Sequence, residues 1–284
     1  GADGFTFVPA EFYFGSLPAH KVPGLAGWLL AASGLLHGGI QLIQPASWEG
    51  PVSWRKPILF GLSSALTAWS LAWVQWRVRP RAWDLAISTT GSVALLLEVA
   101  LITLQAWRGV PSHFNHATRL DDLIQSAMGG LIVLVTLAVA DLTWRCMVDF
   151  DDWPDLTDAA RWGMALLLVS CLAGFAASWA GEWRLAKGLD PSAWGDAGVP
   201  KFPHGAAMHA LQVLPLVAWL LNQAGFRVPF RRKAVVAMGI TSVAWLGYAL
   251  TQTLEGRGRL DPSPTGTIVL LSGIVTAGAT FLRR

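Results

Sequence analysis

DLAISTTGSVALLLEVALITLQA, which occupies residues 84–106, is long and apolar enough to cross a lipid bilayer. A transmembrane α-helix needs about 20 predominantly apolar residues. Asp84 stands at the first position of this stretch, and the only other charged residue within it is Glu98. The stretch therefore predicts a membrane-spanning helix that carries a carboxylic acid inside the hydrocarbon region.

Seven further apolar stretches are separated by charged or Pro- and Gly-rich connections. They lie near residues 24–44, 57–76, 122–144, 162–180, 205–223, 234–252 and 266–282. Of all residues 53% are hydrophobic and 14% are charged, whereas a soluble domain has about 25% charged residues. The sequence predicts an all-α, polytopic transmembrane helical bundle of about eight spans. It forms a single domain, residues 1–284, embedded in the lipid bilayer.

An even number of spans places both ends of the chain on one side of the membrane, which we call the terminal face. Basic residues cluster beside the spans on this side, at residues 77–81 and 227–233. Because such clusters mark the cytoplasmic side, both termini are predicted to be cytoplasmic. The formal net charge of +3 is small and lies in the connections, so we predict no nucleic-acid binding.

Five of the six histidines fall at or just beneath the opposite, predicted periplasmic side, which we call the histidine face. They are His37, His113, His116, His204 and His209. Polar groups near lipid are costly and tend to face the protein interior or a wet cavity. Their clustering at one depth predicts a functional site there, but it does not identify a reaction.

The two halves of the chain, residues 1–150 and 151–284, share short sequence patterns. Lys56-Pro57 opens the second span, and Lys201-Phe202-Pro203 opens the sixth. Gln105 and Gln252 each lie four residues before a glycine at the end of a span. These patterns predict a 4+4 parallel repeat, with a cleft between the halves on the histidine face.

One hypothesis for the site is a bound transition metal, because imidazole and carboxylate groups suit such ions. The candidate metal ligands are His113, His204, His209 and Glu98. An open coordination position would support redox or hydrolytic chemistry. The candidate catalytic residues are then Glu98, His113 and Asn115.

A second hypothesis is haem b. His37 and His209 lie on different spans at a similar depth beneath the histidine face, an arrangement that permits bis-histidine ligation. The chain has no Cys-x-x-Cys-His motif, so covalent attachment of a c-type haem is not predicted.

A third hypothesis requires no metal. Basic and amide side chains near the histidine face could bind a small anionic ligand in the cleft of a transporter or receptor. The candidate ligand-binding residues are Arg108, Gln105, Gln212 and Arg257, with Lys56 and Lys201 close to the same face. An accessory subunit of a larger membrane complex is a further alternative, and the oligomeric state is left open.

Three segments resemble a group of bacterial membrane proteins. They are Trp54-Arg55-Lys56-Pro57, Ser112-His113-Phe114-Asn115 and His209-Ala210-Leu211-Gln212. The chain is similar in these segments to uncharacterised polytopic proteins of the bacterial inner membrane, which have no assigned activity. The resemblance implies a multi-pass protein of that membrane. Since His37 and His116 lie outside the shared pattern, it favours a site built from Glu98, Arg108, His113, Asn115, His204 and His209.

Overall fold

The computed structural model describes residues 18–282, which form nine α-helices and no strand. Eight membrane spans result, because α6 and α7 together make up the sixth. The helices are α1 Lys21–Ile43, α2 Arg55–Arg77, α3 Asp84–Trp107, α4 Arg119–Asp149, α5 Pro154–Leu185, α6 Lys201–Met208, α7 Ala210–Gln223, α8 Val228–Leu254 and α9 Pro264–Leu282. The prediction of an all-α polytopic bundle is confirmed.

Several helices extend beyond their apolar stretches. The stretch near residues 122–144 corresponds to α4, and the one near 162–180 corresponds to α5. Thr118 begins α4 by accepting a hydrogen bond from the backbone N–H of Asp121 at 3.1 Å. Pro154 occupies the first turn of α5, where its missing N–H costs nothing. Hydropathy thus marks the apolar centre of these two helices, whereas Thr118 and Pro154 mark where they begin.

The bundle consists of two sets of four spans, and most of the contacts within one set have a counterpart in the other. In the first half α1 packs against α2 and α3, and α3 packs against α4. In the second half α5 packs against α6, α7 and α8, and α8 packs against α9. The halves meet where α4 contacts α5 and, more narrowly, where α2 contacts α7. The duplication itself stays a prediction.

Two buried ion pairs join helices near the terminal face, one in each half. In the first half, Nη1 of Arg145 lies 2.7 Å from a carboxylate oxygen of Asp84. In the second half, Nε and Nη2 of Arg231 donate to the two oxygens of Asp155 at 2.9 and 3.0 Å. All four residues are buried. The polar ends of these helices are therefore held inside the protein.

Candidate functional site

The loop at residues 108–118, which joins α3 to α4 at the histidine face, contains a residue with unusual backbone geometry. Phe114 has φ of 56°, in the left-handed region that non-glycine residues seldom adopt. Its N–H donates to Oε1 of Gln125 at 3.2 Å. Its ring lies against Gly181 of α5, where an added Cβ would clash with the ring. Such strain persists only where the surroundings enforce it, and it is concentrated at functional sites.

Asn115, a predicted catalytic residue, instead holds the loop together. Its side-chain Nδ2 donates to the carbonyl of Pro111 at 3.0 Å. Its Oδ1 accepts from the N–H of Ala117 at 3.2 Å. The side chain is buried, and both ends of its amide are used within the loop. Its role in this structure is to shape the loop that carries His113.

Arg108 and Gln105, two predicted ligand-binding residues, converge on one buried carboxylate. Asp121 accepts from Nη1 of Arg108 at 2.6 Å and from Nε2 of Gln105 at 3.0 Å. Thr118 also donates to Asp121, at 2.7 Å. Because the partly exposed Arg108 is paired with the buried Asp121, this network fixes the junction of α3 and α4. Arg257 is likewise paired, with Asp261 at 3.3 Å on the surface.

The loop and α2 meet through a chain of three polar side chains. Lys56, half-buried at the start of α2, donates from Nζ to Oγ of Ser112 at 3.1 Å. The same Oγ lies 2.9 Å from Nδ1 of His113. The His113 ring also packs beside Phe60, with ring centroids 6.0 Å apart. Burial, reinforced by the positive charges of Lys56 and Lys201, lowers the pKa of His113 to about 4. His113 is therefore neutral at physiological pH.

Positive charge accumulates around these three polar side chains. We call Lys56, Lys201, Arg55, Arg259 and His113 the basic mouth; the four cations lie close enough to act electrostatically on Lys56 or Lys201. Glu49 is the nearby carboxylate, and it forms an ion pair with Arg55 at 3.4 Å. Within residues 18–282, neither Lys56 nor Lys201 has an ion-pair partner.

The four predicted metal ligands do not form one set. His204 lies on α6 and faces α5, where its Nδ1 donates to the carbonyl of Ser170 at 2.7 Å. His209 is exposed at the break between α6 and α7. Glu98 is buried in α3, and its Oε2 has no hydrogen-bond partner in the described chain. In residues 18–282, no three His, Cys, Asp or Glu side chains are arranged to hold a metal ion.

His37, the first predicted haem ligand, already uses both ring nitrogens. Nδ1 donates to the carbonyl of Ser33 at 2.7 Å, and Nε2 accepts from the indole N–H of Trp107 at 3.0 Å. The ring is buried and also packs beside Trp54. Haem ligation would require one of these bonds to break. In this conformation His37 acts as a packing residue between α1, α2 and α3.

Polar contacts also cross between the two halves inside the membrane, and pattern reasoning missed most of them. Ser63 on α2 donates to the sulfur of Met208 at 3.2 Å. Gln212 on α7 donates from Nε2 to Ser70 on α2 at 3.1 Å. Gln212 was predicted from its position near His209, but the two serines were not. Their seven-residue separation on one helix is the signal that could have revealed them.

His116 connects the loop to both halves of the bundle. Its contacts predict that the stability of the protein depends on pH. Its ring nitrogens lie 2.6 Å from a carboxylate oxygen of Asp122 and 3.1 Å from one of Glu182. The bond with Asp122, supported by Glu182, raises the pKa of His116 above 6.5. A raised pKa adds stability that is complete below pH 6.5 and disappears as the pH rises through the folded-state pKa.

We therefore expect wild-type protein to melt at a higher temperature than His116→Gln at about pH 6, with the difference shrinking above about pH 7. Because the His116 side chain is 40% exposed, the shift should be at most a few degrees. Thermal melts of both proteins across this pH range measure it. A difference in melting temperature that does not change with pH would contradict the prediction.

Comparison with known proteins gives no relative from which to transfer a role. The chain matches no protein-family model, no curated protein and no solved structure. Any function must therefore be argued from the geometry of the chain itself.

Proposed function

We propose that this membrane protein binds a small inorganic or carboxylate anion at the basic mouth, as a transporter or receptor does. The proposal rests on one observation. The ammonium group of Lys56 is half-buried, and in residues 18–282 its hydrogen-bond partner is the neutral hydroxyl of Ser112. Removing a charge from water is costly unless an opposite charge compensates it. A bound anion would supply that charge.

The positions of the helices add to this attraction. Lys56 is the second residue of α2, and Lys201 is the first residue of α6. Helix N-termini carry partial positive charge and unpaired N–H groups, both of which favour anions. His113, neutral and close to both lysines, adds an imidazole that can donate a hydrogen bond. Two helix ends, two ammonium groups and an imidazole thus favour the same kind of ligand.

The anion hypothesis also accounts for more of the site than the metal and haem hypotheses do. Those hypotheses need His37, His204 and Glu98 as ligands. His37 has no ring nitrogen without a partner, and in residues 18–282 neither His204 nor Glu98 belongs to a group of three His, Cys, Asp or Glu side chains that could hold a metal ion. The basic mouth, in contrast, gathers positive charges that would repel a metal ion.

The same proposal has a membrane orientation. We propose a bacterial inner-membrane location with both termini cytoplasmic, so that the basic mouth opens to the periplasm. Support comes from the basic clusters at residues 77–81 and 227–233, which lie beside spans on the terminal face.

The test is calorimetric titration of detergent-purified protein with sodium chloride, sulfate, phosphate and acetate. At least one anion should bind. Lys56→Met and Lys201→Met should each weaken its binding about tenfold or more, because a hydrogen bond to a charged group contributes about 1.5–3 kcal/mol.

Lys187→Met is the matched control. Lys187 is an exposed lysine beyond the end of α5 on the histidine face, where it lies over the ring of Trp183. The control should bind the anion as wild-type protein does. Absence of binding by all four anions, or equal binding by the Lys56 variant and wild-type protein, would reject the proposed function.

A further inference from the structure

One face of α2 carries a polar residue at every seventh position from end to end. We call Lys56, Ser63, Ser70 and Arg77 the α2 polar stripe. Residues seven apart lie on one face of a helix, drifting by only about 20° per interval. At about 1.5 Å per residue the stripe is about 30 Å long, which is the thickness of the hydrocarbon core. It therefore reaches from one face of the membrane to the other.

The partners of the stripe place it at the boundary between the halves. At the histidine face Lys56 contacts Ser112 in the loop. Within the membrane the two serines contact Met208 and Gln212, which both belong to the second half. At the terminal face Arg77 forms an ion pair with Asp152 in the connection between α4 and α5. The stripe thus follows the narrow contact between α2 and the sixth span.

The opposite face of α2 has a different composition. Gly61, Ala65 and Ala68 are buried, and the alanines form a core cluster with Leu30 and Ala31 of α1. Small apolar residues allow close packing between membrane helices. The residues of the stripe are therefore separated from the face that packs against α1. Packing within that half does not account for their position.

The sixth span faces the stripe with polar groups of its own. Gln212 presents its side-chain N–H group to the stripe and donates from Nε2 to Ser70 at 3.1 Å. The helix stops after Met208 and begins again at Ala210, within the membrane. A helix start inside the membrane presents backbone N–H groups and a positive dipole end, which broken helices in transporters use to bind anions. Hydroxyl, amide and N–H donors can together replace the hydration of an anion.

We propose that the α2 polar stripe is the path by which the anion crosses the membrane, so that the protein is an anion transporter rather than a receptor. This inference rests on the proposed function, because it takes the basic mouth as the entrance. In this conformation the ion pair between Arg77 and Asp152 closes the terminal end of the path. The two serines and Gln212 line its middle.

Flux through proteoliposomes tests the path. Vesicles are loaded with the potassium salt of the anion that binds most tightly, and its efflux is measured after valinomycin is added. Ser63→Leu and Ser70→Leu should each reduce efflux at least tenfold while calorimetric affinity stays within about twofold of wild type. Ser64→Leu, the same change on the neighbouring residue about 100° around the helix, should retain efflux.

A second variant is expected to increase efflux. Misfolding would lower efflux, so it cannot produce this result. Asp152→Asn removes the ion-pair partner of Arg77 and should raise efflux at least threefold, whereas Asp151→Asn, at an exposed neighbour, should not. The path is rejected if wild-type protein binds the anion without transporting it. It is also rejected if neither serine variant lowers efflux, or if Asp152→Asn leaves efflux unchanged. Failure of the proposed function is distinct, because wild-type protein then binds no anion.

Discussion

Asp155→Ala should destabilise the protein by about 3–5 kcal/mol, because it leaves the guanidinium of Arg231 buried without its counter-charge. Both residues are buried, and the carboxylate accepts two hydrogen bonds from Arg231, at 2.9 and 3.0 Å. The remaining contacts of Arg231 are neutral, to the carbonyl of Phe226 and to Asn222. Neither can replace a carboxylate. Equilibrium unfolding in mixed micelles measures the loss.

An exposed ion pair between the same two helices provides the control. Arg232 pairs with Asp158 at 2.7 Å, but its side chain is 52% exposed. Asp158→Ala should therefore cost less than about 1 kcal/mol. Replacing both members of the buried pair, in Asp155→Leu with Arg231→Met, should recover most of the stability, since no unpaired charge remains. If the two single alanine variants lose equal stability, burial is not the cause.

The fold could be predicted because the bilayer imposes one dominant constraint. Backbone groups in hydrocarbon must be hydrogen-bonded within a helix, so a long apolar stretch specifies a span. The stretch at residues 84–106 differs from α3 by a single residue. Prediction failed where polar residues continue a helix inside the protein, as at Arg145 and Asp155, because hydropathy does not distinguish a buried ion pair from a solvated loop.

The site could be predicted only in part. Sequence position indicates the depth and the face of a polar residue, but not its partner. Arg108 was predicted to bind a ligand, yet it is neutralised by Asp121, thirteen residues later and on the next helix. His37 was a candidate haem ligand, yet it is enclosed by Trp54 and Trp107. These pairings depend on how separate helices pack, and one sequence does not specify that.

The α2 polar stripe was missed for a related reason. Its spacing is visible in the sequence, but serine is common in membrane helices, where its hydroxyl can bond to a carbonyl of the preceding turn. Ser70 does so, with the carbonyl of Leu66 at 2.8 Å, in addition to its contact with Gln212. Only the contacts of Ser63 and Ser70 with the second half distinguish them from ordinary helical serines.

Gly61→Leu should destabilise the first half by about 3 kcal/mol or more, because α1 and α2 approach each other through glycine. A Cβ at Gly61 would lie 2.8 Å from backbone atoms of Gly34 and 3.0 Å from the carbonyl oxygen of Leu30. These neighbours are backbone atoms, which cannot turn aside as a side chain can. The helices would have to separate, and thermal melts should show a large fall in melting temperature.

Gly130→Leu is the matched control, since Gly130 on α4 is exposed and a Cβ there would meet no atom within 4 Å. Its melting temperature should stay close to that of wild type, and an equal fall in both variants would contradict the argument. The change at Gly61 should also affect efflux along the proposed anion path. Gly61 lies on the face of α2 opposite the polar stripe, so a side chain there displaces α2 and changes the contacts of Ser63 and Ser70 with the sixth span. In Gly61→Ala protein that is still folded at the assay temperature, efflux should therefore fall.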